Sequence, residues 1–426
     1  MLLRLARHPQ ILFIVLNVAV NLLFLVRSYV TMQVLDYEAL GVVTLVQSLI
    51  LLVGIMQFGL VNGGYRLMCS ADGADETRRI NDAFYSGLSV LAGIAILAGI
   101  GAILFLDDYL YKLAGALGVA GGIAALVRSW IMNTLLAEGR LADYNRINTV
   151  SAVLSLGFLA FIPFDALIAC LAALLMQHVL FVLHAFLSGK VAPPKSFNFD
   201  RALFARIFKA GFVLFLTGLF LQLNVQIERW YVLAALGLEA LGHLYLVVLF
   251  ITLFNLVPTS LQGIFLPPLI KAHDRDDAAQ VGRGMAKMVL ATIGYCAISA
   301  LAVIVLAGPI LSILLPRYLG DLTYVEIMLP GLLLFTAASA LALPFNVLIE
   351  YRYYIVGYVA GTILLVAIFA AALFAGYRLS LEQVVAIRSA SYAAMAAVLV
   401  FGFWRVVRRF PTFRPSLKGL LPRAGS

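Results

Sequence analysis

Charged residues are scarce in this 426-residue chain. Only 12% of the residues are charged and 63% are hydrophobic, whereas a soluble domain carries roughly 25% charged residues. The composition therefore excludes a soluble globular protein and indicates an integral membrane protein. The net charge of +9 comes from basic residues in short connections and the tail. These residues favour contact with anionic membrane lipids, and we predict no nucleic-acid partner.

Residues and motifs that carry chemistry are equally sparse. The cysteines Cys69, Cys170 and Cys296 have no CxxC spacing and predict neither a disulfide framework nor a metal site. The histidines show no HExxH spacing, and no GxxxxGK[ST] loop is present, so we predict no metal, no cofactor, no ATP hydrolysis and no catalytic residue. The pair Asp107 and Asp108 would suit a membrane glycosyltransferase, but a connection of about six residues leaves no room for a saccharide acceptor.

Long apolar runs, by contrast, occupy nearly the whole chain. A transmembrane helix needs about 20 apolar residues to cross roughly 30 Å of hydrocarbon, and twelve runs approach or exceed that length. We therefore predict an all-α integral membrane protein with about twelve transmembrane helices in two six-helix lobes. The predicted spans are 11–34, 41–64, 82–106, 113–137, 147–163, 166–188, 207–233, 242–266, 286–308, 327–348, 354–376 and 384–405.

The widest connection, Gly189–Arg206, divides these runs into two sets of six. It predicts an N-terminal lobe over 1–195, a C-terminal lobe over 196–409 and a basic cytoplasmic tail over 410–426.

Two short matches indicate that the lobes are repeats. Glu38-Ala39-Leu40-Gly41 opens the second span and Glu239-Ala240-Leu241-Gly242 opens the eighth, while Glu138-Gly139-Arg140 ends the fourth and Glu350-Tyr351-Arg352 ends the tenth. Because each lobe has an even number of spans, the repeats run in the same direction, and their pseudo-two-fold axis is expected along the membrane normal.

Lys and Arg are sorted unevenly about these spans. With a cytoplasmic N-terminus, 23 lie on the cytoplasmic side, three lie outside and four lie within the spans. The positive-inside rule therefore predicts a multi-pass protein of a bacterial inner membrane with both termini in the cytoplasm. The four within the spans are Arg27, Arg128, Arg229 and Arg388.

These four arginines need a physical explanation, because an arginine at the bilayer centre costs about 2.5–3.5 kcal/mol. Each must snorkel, pair with an acid or line a wet cavity, and a cavity lined by arginine suits an anion. Arg128 lies near the midplane, and Arg27 and Arg229 lie in the outer half, so these three are candidate substrate-binding residues. Arg388 is close enough to an interface that we expect it to snorkel. Trp130 near Arg128 either stacks on a sugar ring or packs in the core.

The first and seventh spans carry the strongest polar patterns. In the first, Asn21 belongs to a stripe with Asn17, Ser28 and Thr31, with Arg27 on its flank; the stripe faces a cavity or hydrogen-bonds a neighbouring helix. In the seventh, the i, i+4, i+7 spacing predicts one face shared by Gln222, Gln226 and Arg229, and nearly the opposite face carries Asn224 and Glu228. Glu228 is either an ion- or proton-coupling site or one half of a structural ion pair.

Several stretches resemble the Wzx-type flippases of O-antigen and polysaccharide biosynthesis, which belong to the multidrug/oligosaccharidyl-lipid/polysaccharide (MOP) exporter superfamily. They are Val34-Leu35-Asp36-Tyr37-Glu38-Ala39-Leu40-Gly41, Gln57-Phe58-Gly59-Leu60-Val61-Asn62-Gly63-Gly64-Tyr65-Arg66, Leu135-Leu136-Ala137-Glu138-Gly139-Arg140, and Glu228-Arg229 followed by Leu236-Gly237.

The resemblance implies a flippase that moves an undecaprenyl-diphosphate-linked oligosaccharide from the cytoplasmic to the periplasmic leaflet by alternating access. It also implies membrane lipids and a polysaccharide polymerase with its chain-length machinery as partners. Lipid II flippases of the superfamily usually have fourteen helices, so peptidoglycan precursors are a less expected substrate. The alternatives are a multidrug or metabolite exporter of the same superfamily, which would usually place acids in its cavity, and a membrane polysaccharide polymerase or ligase.

The repeat offset also suggests a gate. Aligning Glu38 with Glu239 sets an offset of 201 residues, which places Arg27 opposite Glu228. Residues related by a pseudo-two-fold axis lie at similar depth, so we predict that this pair closes the outer half of the cavity in one state and separates in the other.

Overall fold

The computed structural model describes residues 9–416 except 70, 72, 192, 198 and 349. Within this described part the chain is helical and contains no strand. It forms two compact units that divide between Gln222 and Leu223.

The first unit contains seven complete helices and the beginning of an eighth within the described residues. These are α1 (Pro9–Val34), α2 (Tyr37–Ile55), α3 (Leu60–Cys69), α4 (Ala74–Phe105), α5 (Tyr109–Ala137), α6 (Leu141–Leu156), α7 (Ala166–Leu187) and the start of α8 (Arg201–Leu236).

The second unit contains the rest of α8 and seven further helices over its described residues. These are α9 (Leu238–Asp274), α10 (Ala278–Ala302, continued by a π-helical segment Val303–Ala307), α11 (Gly308–Leu314), α12 (Leu322–Leu341), α13 (Leu343–Val347), α14 (Arg352–Phe374) and α15 (Leu381–Arg409).

Helices of membrane-spanning length dominate both units. Ten in the described residues are long and apolar enough to cross a bilayer, and α8 makes eleven if its two parts, Arg201–Val213 and Phe215–Leu236, count as one span bent by 54°. The remaining predicted span, the fifth (147–163), corresponds to α6, whose 16 residues continue into a 3-10 helix over Gly157–Phe161. The predicted all-α multi-pass class is confirmed.

Acidic and hydroxyl side chains fix where several helices begin. Asp36 and Asp165 each accept a hydrogen bond from a backbone N–H in the first turn of α2 and α7. Asp108 accepts from the N–H groups of Leu110 and Tyr111. Since N-cap residues of this kind stabilise a helix by about 1 kcal/mol, Asp108 has a structural explanation that needs no catalysis.

The beginning of α8 packs with the first unit, so the compact units divide within α8, and the lobe boundary at 195/196 stays a prediction. Asp200 caps α8 by accepting from the N–H groups of Ala202 and Leu203 and pairs with Arg79 at 3.1 Å. The two backbone donors and then Arg79 hold the pKa of Asp200 below its usual range. Asp82 of α4 accepts hydrogen bonds from the Lys195 N–H and the Ser196 hydroxyl of the preceding linker.

Close helix packing also holds α8 in the first unit. Gly63 of α3 and Gly211 of α8 approach so closely that a Cβ on Gly63 would lie 1.9 Å from the Ile207 carbonyl oxygen. We expect Gly63→Ala to lower the unfolding temperature of the purified protein markedly, because backbone cannot yield as a flexible side chain can.

The matched control is Gly54→Ala, since a Cβ there has no heavy atom within 4 Å. It is expected to leave the unfolding temperature unchanged or slightly raised, because alanine is the better helix former. Equal effects of the two substitutions would contradict this account of the α3–α8 contact.

The repeated Glu-x-Arg motif takes the same form in each unit. Arg140 pairs with Glu138 at 2.9 Å after α5, and Arg352 pairs with Glu350 at 3.3 Å after α13. Each motif ends the fourth predicted span of its unit and precedes the fifth. The recurrence of one local ion pair supports the internal repeat inferred from the sequence.

Candidate substrate and ion sites

Arg128 is the centre of a polar group inside the first unit. It lies nine residues before the end of α5, or about 14 Å along the helix, and its side chain is partly exposed. One guanidinium nitrogen donates to Asn148 Oδ1 of α6 at 3.0 Å. The other donates to His178 Nδ1 of α7 at 3.3 Å, and the guanidinium also lies 5.2 Å from the Phe181 ring centroid.

A second arginine joins this group from α1. Arg27 donates a hydrogen bond to Gln177 Oε1, and the Gln177 amide lies 3.3 Å from His178 Nε2. Arg27 is only 8% exposed and its guanidinium lies 5.0 Å from the Phe24 ring. Contacts thus run from Arg27 through Gln177 and His178 to Arg128.

Arg128 is a cation, and its hydrogen-bond partners among the described residues are neutral. Among the described residues Arg128 forms no ion pair, since its hydrogen bonds end on an amide and an imidazole. A guanidinium can only donate hydrogen bonds. His178 Nδ1 must therefore accept the hydrogen bond from Arg128, and this nitrogen carries no proton. The partly exposed Arg128 therefore presents uncompensated positive charge, which is the arrangement that an anion would complete.

The second unit buries a different polar cluster around Arg388. This side chain is completely buried, donates to the backbone carbonyl of Asn224 and donates to the Tyr392 hydroxyl at 2.9 Å. Its Nη1 lies 3.9 Å from Glu228 Oε2. The Asn224 amide in turn donates to the Ser391 hydroxyl at 2.9 Å.

The prediction that Arg388 snorkels is therefore wrong. Snorkelling was inferred from its distance along the helix to an interface, but rotation about the helix axis decides whether a long side chain faces lipid or protein. Arg388 faces α8, where Asn224 and Glu228 share one face, as their i, i+4 spacing predicted. Glu228 thus has the structural ion pair that the sequence left open beside a coupling role.

Several polar atoms of this cluster lack partners among the described residues. They are Glu228 Oε1, Asn224 Oδ1 and Arg388 Nε, all buried, and both amide atoms of Gln226, elsewhere on α8, are also buried without a partner. Buried donors and acceptors without a protein partner are typical of a position that holds water or an ion. Arg229 is also buried, with 5% exposure. The buried charged residues of this region are therefore two arginines, Arg229 and Arg388, and one glutamate, Glu228.

Trp130 has the core-packing role that was the alternative to stacking on a sugar. It is completely buried, its ring stacks on Phe84 with centroids 3.9 Å apart, and its Nε1 donates to Asn81 Oδ1 at 2.8 Å. On another side it lies so close to Gly64 that a Cβ there would approach it to 2.6 Å. Its aromatic surface is occupied by protein, and we leave it out of the candidate site.

The remaining predicted residues are distributed differently. Asn21 is exposed and donates within its own helix to the Asn17 carbonyl, Gln222 is half-buried and Gln226 is completely buried.

Sequence reasoning missed four residues that hold the arginines: Asn148, Gln177, His178 and Tyr392. An adjacent Gln-His pair in the middle of the apolar α7 was a usable signal, since a polar residue in a span normally faces protein or a wet cavity. Nothing in the sequence marked Tyr392, because a tyrosine within a span is ordinary.

Comparison with known proteins shows that the chain shares its fold with proteins of solved structure. No protein-family model and no curated protein matches the sequence, but solved structures do. The lipid II flippase MurJ in an inward closed conformation is 12% identical with a TM-score of 0.74, covering 92% of this chain and 87% of that one. An inward-facing multidrug resistance MATE family transporter of the MOP superfamily is 13% identical with a TM-score of 0.67, covering 93% and 96%.

The chain has the fold of the MOP-superfamily transporters. A MATE structure in the bent conformation, 13% identical with a TM-score of 0.60, matches 97% of this chain and 99% of its own. At such identities the likeness shows the fold alone and leaves the substrate to be argued from the residues. The similar structures are transporters and a flippase, not enzymes.

Proposed function

We propose that this protein is a flippase for an undecaprenyl-diphosphate-linked oligosaccharide, moving it from the cytoplasmic to the periplasmic leaflet of a bacterial inner membrane by alternating access. Both termini face the cytoplasm in this proposal, and the lipid is not altered covalently. The observation that carries it is Arg128, a partly exposed cation deep in α5 whose described partners are all neutral.

A diphosphate head needs fixed cations if it is to cross a low-dielectric interior. Arginine provides bidentate hydrogen bonds to phosphate and keeps its charge in such surroundings. Arg128 is therefore the primary contact, with Arg27 next to it through Gln177 and His178. On α8, Arg229 with Gln222 and Gln226 is a secondary contact, and Asn21 of α1 is a candidate for the saccharide.

Glu228 is the proposed coupling group, taking up a proton or another cation when its contact with Arg388 loosens. The approach of Arg27 to Glu228 stays a prediction for one state of the cycle. A polysaccharide polymerase with its chain-length machinery is the proposed downstream partner.

A multidrug exporter of the same superfamily is the second candidate. It would need an acid free to take up a cationic drug, whereas Glu228 has Arg388 at 3.9 Å. Buried arginines outnumber this glutamate, so an anionic substrate fits the electrostatics better.

The decisive experiment is transport by purified protein in liposomes loaded with a labelled lipid-linked oligosaccharide. We expect the protein to make the inner-leaflet label accessible to an external glycan-modifying probe, with the lipid recovered intact. No transport under any imposed proton or sodium gradient, together with hydrolysis or polymerisation of the lipid, would overturn the proposal. Efflux of a cationic dye without lipid transport would favour the exporter.

A further inference from the structure

A long apolar groove of about 740 Å³ runs along the second unit between α10, α12 and α15. The alanines Ala338 and Ala396 form its buried floor, while Ile293, Leu334 and Phe401 stand at its rim with about half of their surface exposed. The volume is within the range of small-molecule sites, roughly 300–1,000 Å³.

The groove ends at a pair of arginines. On α15 its lining residues follow helical spacing from Ala393 to Trp404, and Arg405 and Arg408 continue in register after Phe401 and Trp404. The Arg408 guanidinium lies 3.7 Å from the Trp404 ring centroid, and Arg405 lies 5.2 Å from the Phe401 centroid.

These two arginines are available to an anion. Both are exposed, and neither forms an ion pair within the part of the chain that the structure describes. Their neighbour Arg409 differs, since it pairs with Glu350 at 3.1 Å. The groove therefore combines an apolar slot with two uncompensated guanidiniums at one end.

We propose that this groove holds the polyprenyl chain of the transported lipid, with its diphosphate against Arg405 and Arg408 at the cytoplasmic interface. The inference rests on the proposed function and on the orientation given by the basic residues. An apolar groove that continues into two exposed guanidiniums matches a lipid with an apolar chain and a two-phosphate head, and the alanine floor leaves width for methyl branches.

The groove is distinct from the buried cluster on the same helix. At 100° per residue, the groove positions of α15 lie mostly on the side away from Arg388. The lipid chain can therefore stay on the membrane-facing side of the second unit while the head group and saccharide are handed to the polar interior. The groove is thus a loading site on the cytoplasmic leaflet.

The test is binding of radiolabelled undecaprenyl diphosphate, without a saccharide, to the full-length protein in phosphatidylcholine nanodiscs. The double variant Arg405→Gln with Arg408→Gln should weaken binding by about tenfold or more. The single variant Ala397→Phe, which fills the groove, should weaken it to a similar extent. The controls are Arg409→Gln beside the pair and Ala390→Phe, an exposed alanine two turns before Ala397 and outside the groove, and both should bind like wild type. A photoactivatable polyprenyl diphosphate should crosslink to α10, α12 and α15.

Competitors identify the source of the ligand. If phosphatidylglycerol displaces the probe with the same potency as unlabelled undecaprenyl diphosphate, the groove is a general anionic-lipid surface and the proposal is overturned. If inorganic pyrophosphate displaces the probe with that potency, the polyprenyl chain has no role in binding. Normal binding by both groove variants would also overturn it. Binding and transport are measured separately. Oligosaccharide transport that persists in those variants would refute the groove proposal alone, whereas absence of transport by the wild-type protein would refute the proposed function.

Discussion

Replacing Arg128 with alanine is expected to reduce flipping of a lipid-linked oligosaccharide by about ten- to a hundredfold, since hydrogen bonds to charged groups contribute about 1.5–3 kcal/mol each. Arg128→Lys should retain part of the activity, because lysine keeps the charge and loses the bidentate geometry. The measurement is the initial rate of probe accessibility in liposomes at matched protein content.

The control for Arg128 is Arg146→Ala, an exposed arginine at the beginning of α6, which should transport like wild type. Arg388→Ala is unsuitable for this purpose because Arg388 is completely buried and its removal disturbs the second unit. Unfolding temperature distinguishes a lost substrate contact from a lost fold. Arg128→Ala should remain folded, because it leaves no buried charge behind and His178 keeps partial access to water. Wild-type activity of Arg128→Ala would assign Arg128 a structural role.

The fold was largely predictable because membrane spans are set by length and hydrophobicity, which are local properties of the sequence. The departures have specific causes. The second predicted span, 41–64, divides into α2 and α3 at Phe58 and Gly59, whose φ angles are 46° and 89°. The compact units divide at 222/223 within α8, and the contact of Gly63 with α8 that keeps the start of this helix in the first unit is a tertiary feature that no composition shift records.

The polar interior was only partly predictable. Depth along a helix follows from counting residues, so the central position of Arg128 could be inferred. The direction that a side chain faces depends on helix rotation and on neighbours far away in sequence. For this reason Arg388 was assigned to an interface although it is buried, and Trp130 was a candidate for sugar stacking although Phe84 covers its ring.

Loss of Arg388 is expected to destabilise the second unit strongly. Arg388→Ala should destabilise the protein by about 3–5 kcal/mol, the cost of leaving a buried charge without its partner. The substitution strands Glu228 at 6% exposure and removes the donors to the Asn224 carbonyl and the Tyr392 hydroxyl. The measurement is the unfolding temperature of the detergent-purified protein together with the yield of folded protein.

Removing both charged partners distinguishes the effect of the charge from that of the hydrogen bonds. Arg388→Met with Glu228→Gln leaves no buried charge at the pair, and replacing a buried ion pair with neutral groups of similar size is often neutral or stabilising. The double variant should therefore be more stable than Arg388→Ala, even if it cannot transport because Glu228 is the proposed coupling group. Arg79→Gln, which breaks the exposed pair with Asp200, should change stability by only about 0–1 kcal/mol. If the double variant is as unstable as Arg388→Ala, the stability that Arg388 contributes comes from its hydrogen bonds to Asn224 and Tyr392 and not from its pairing with Glu228.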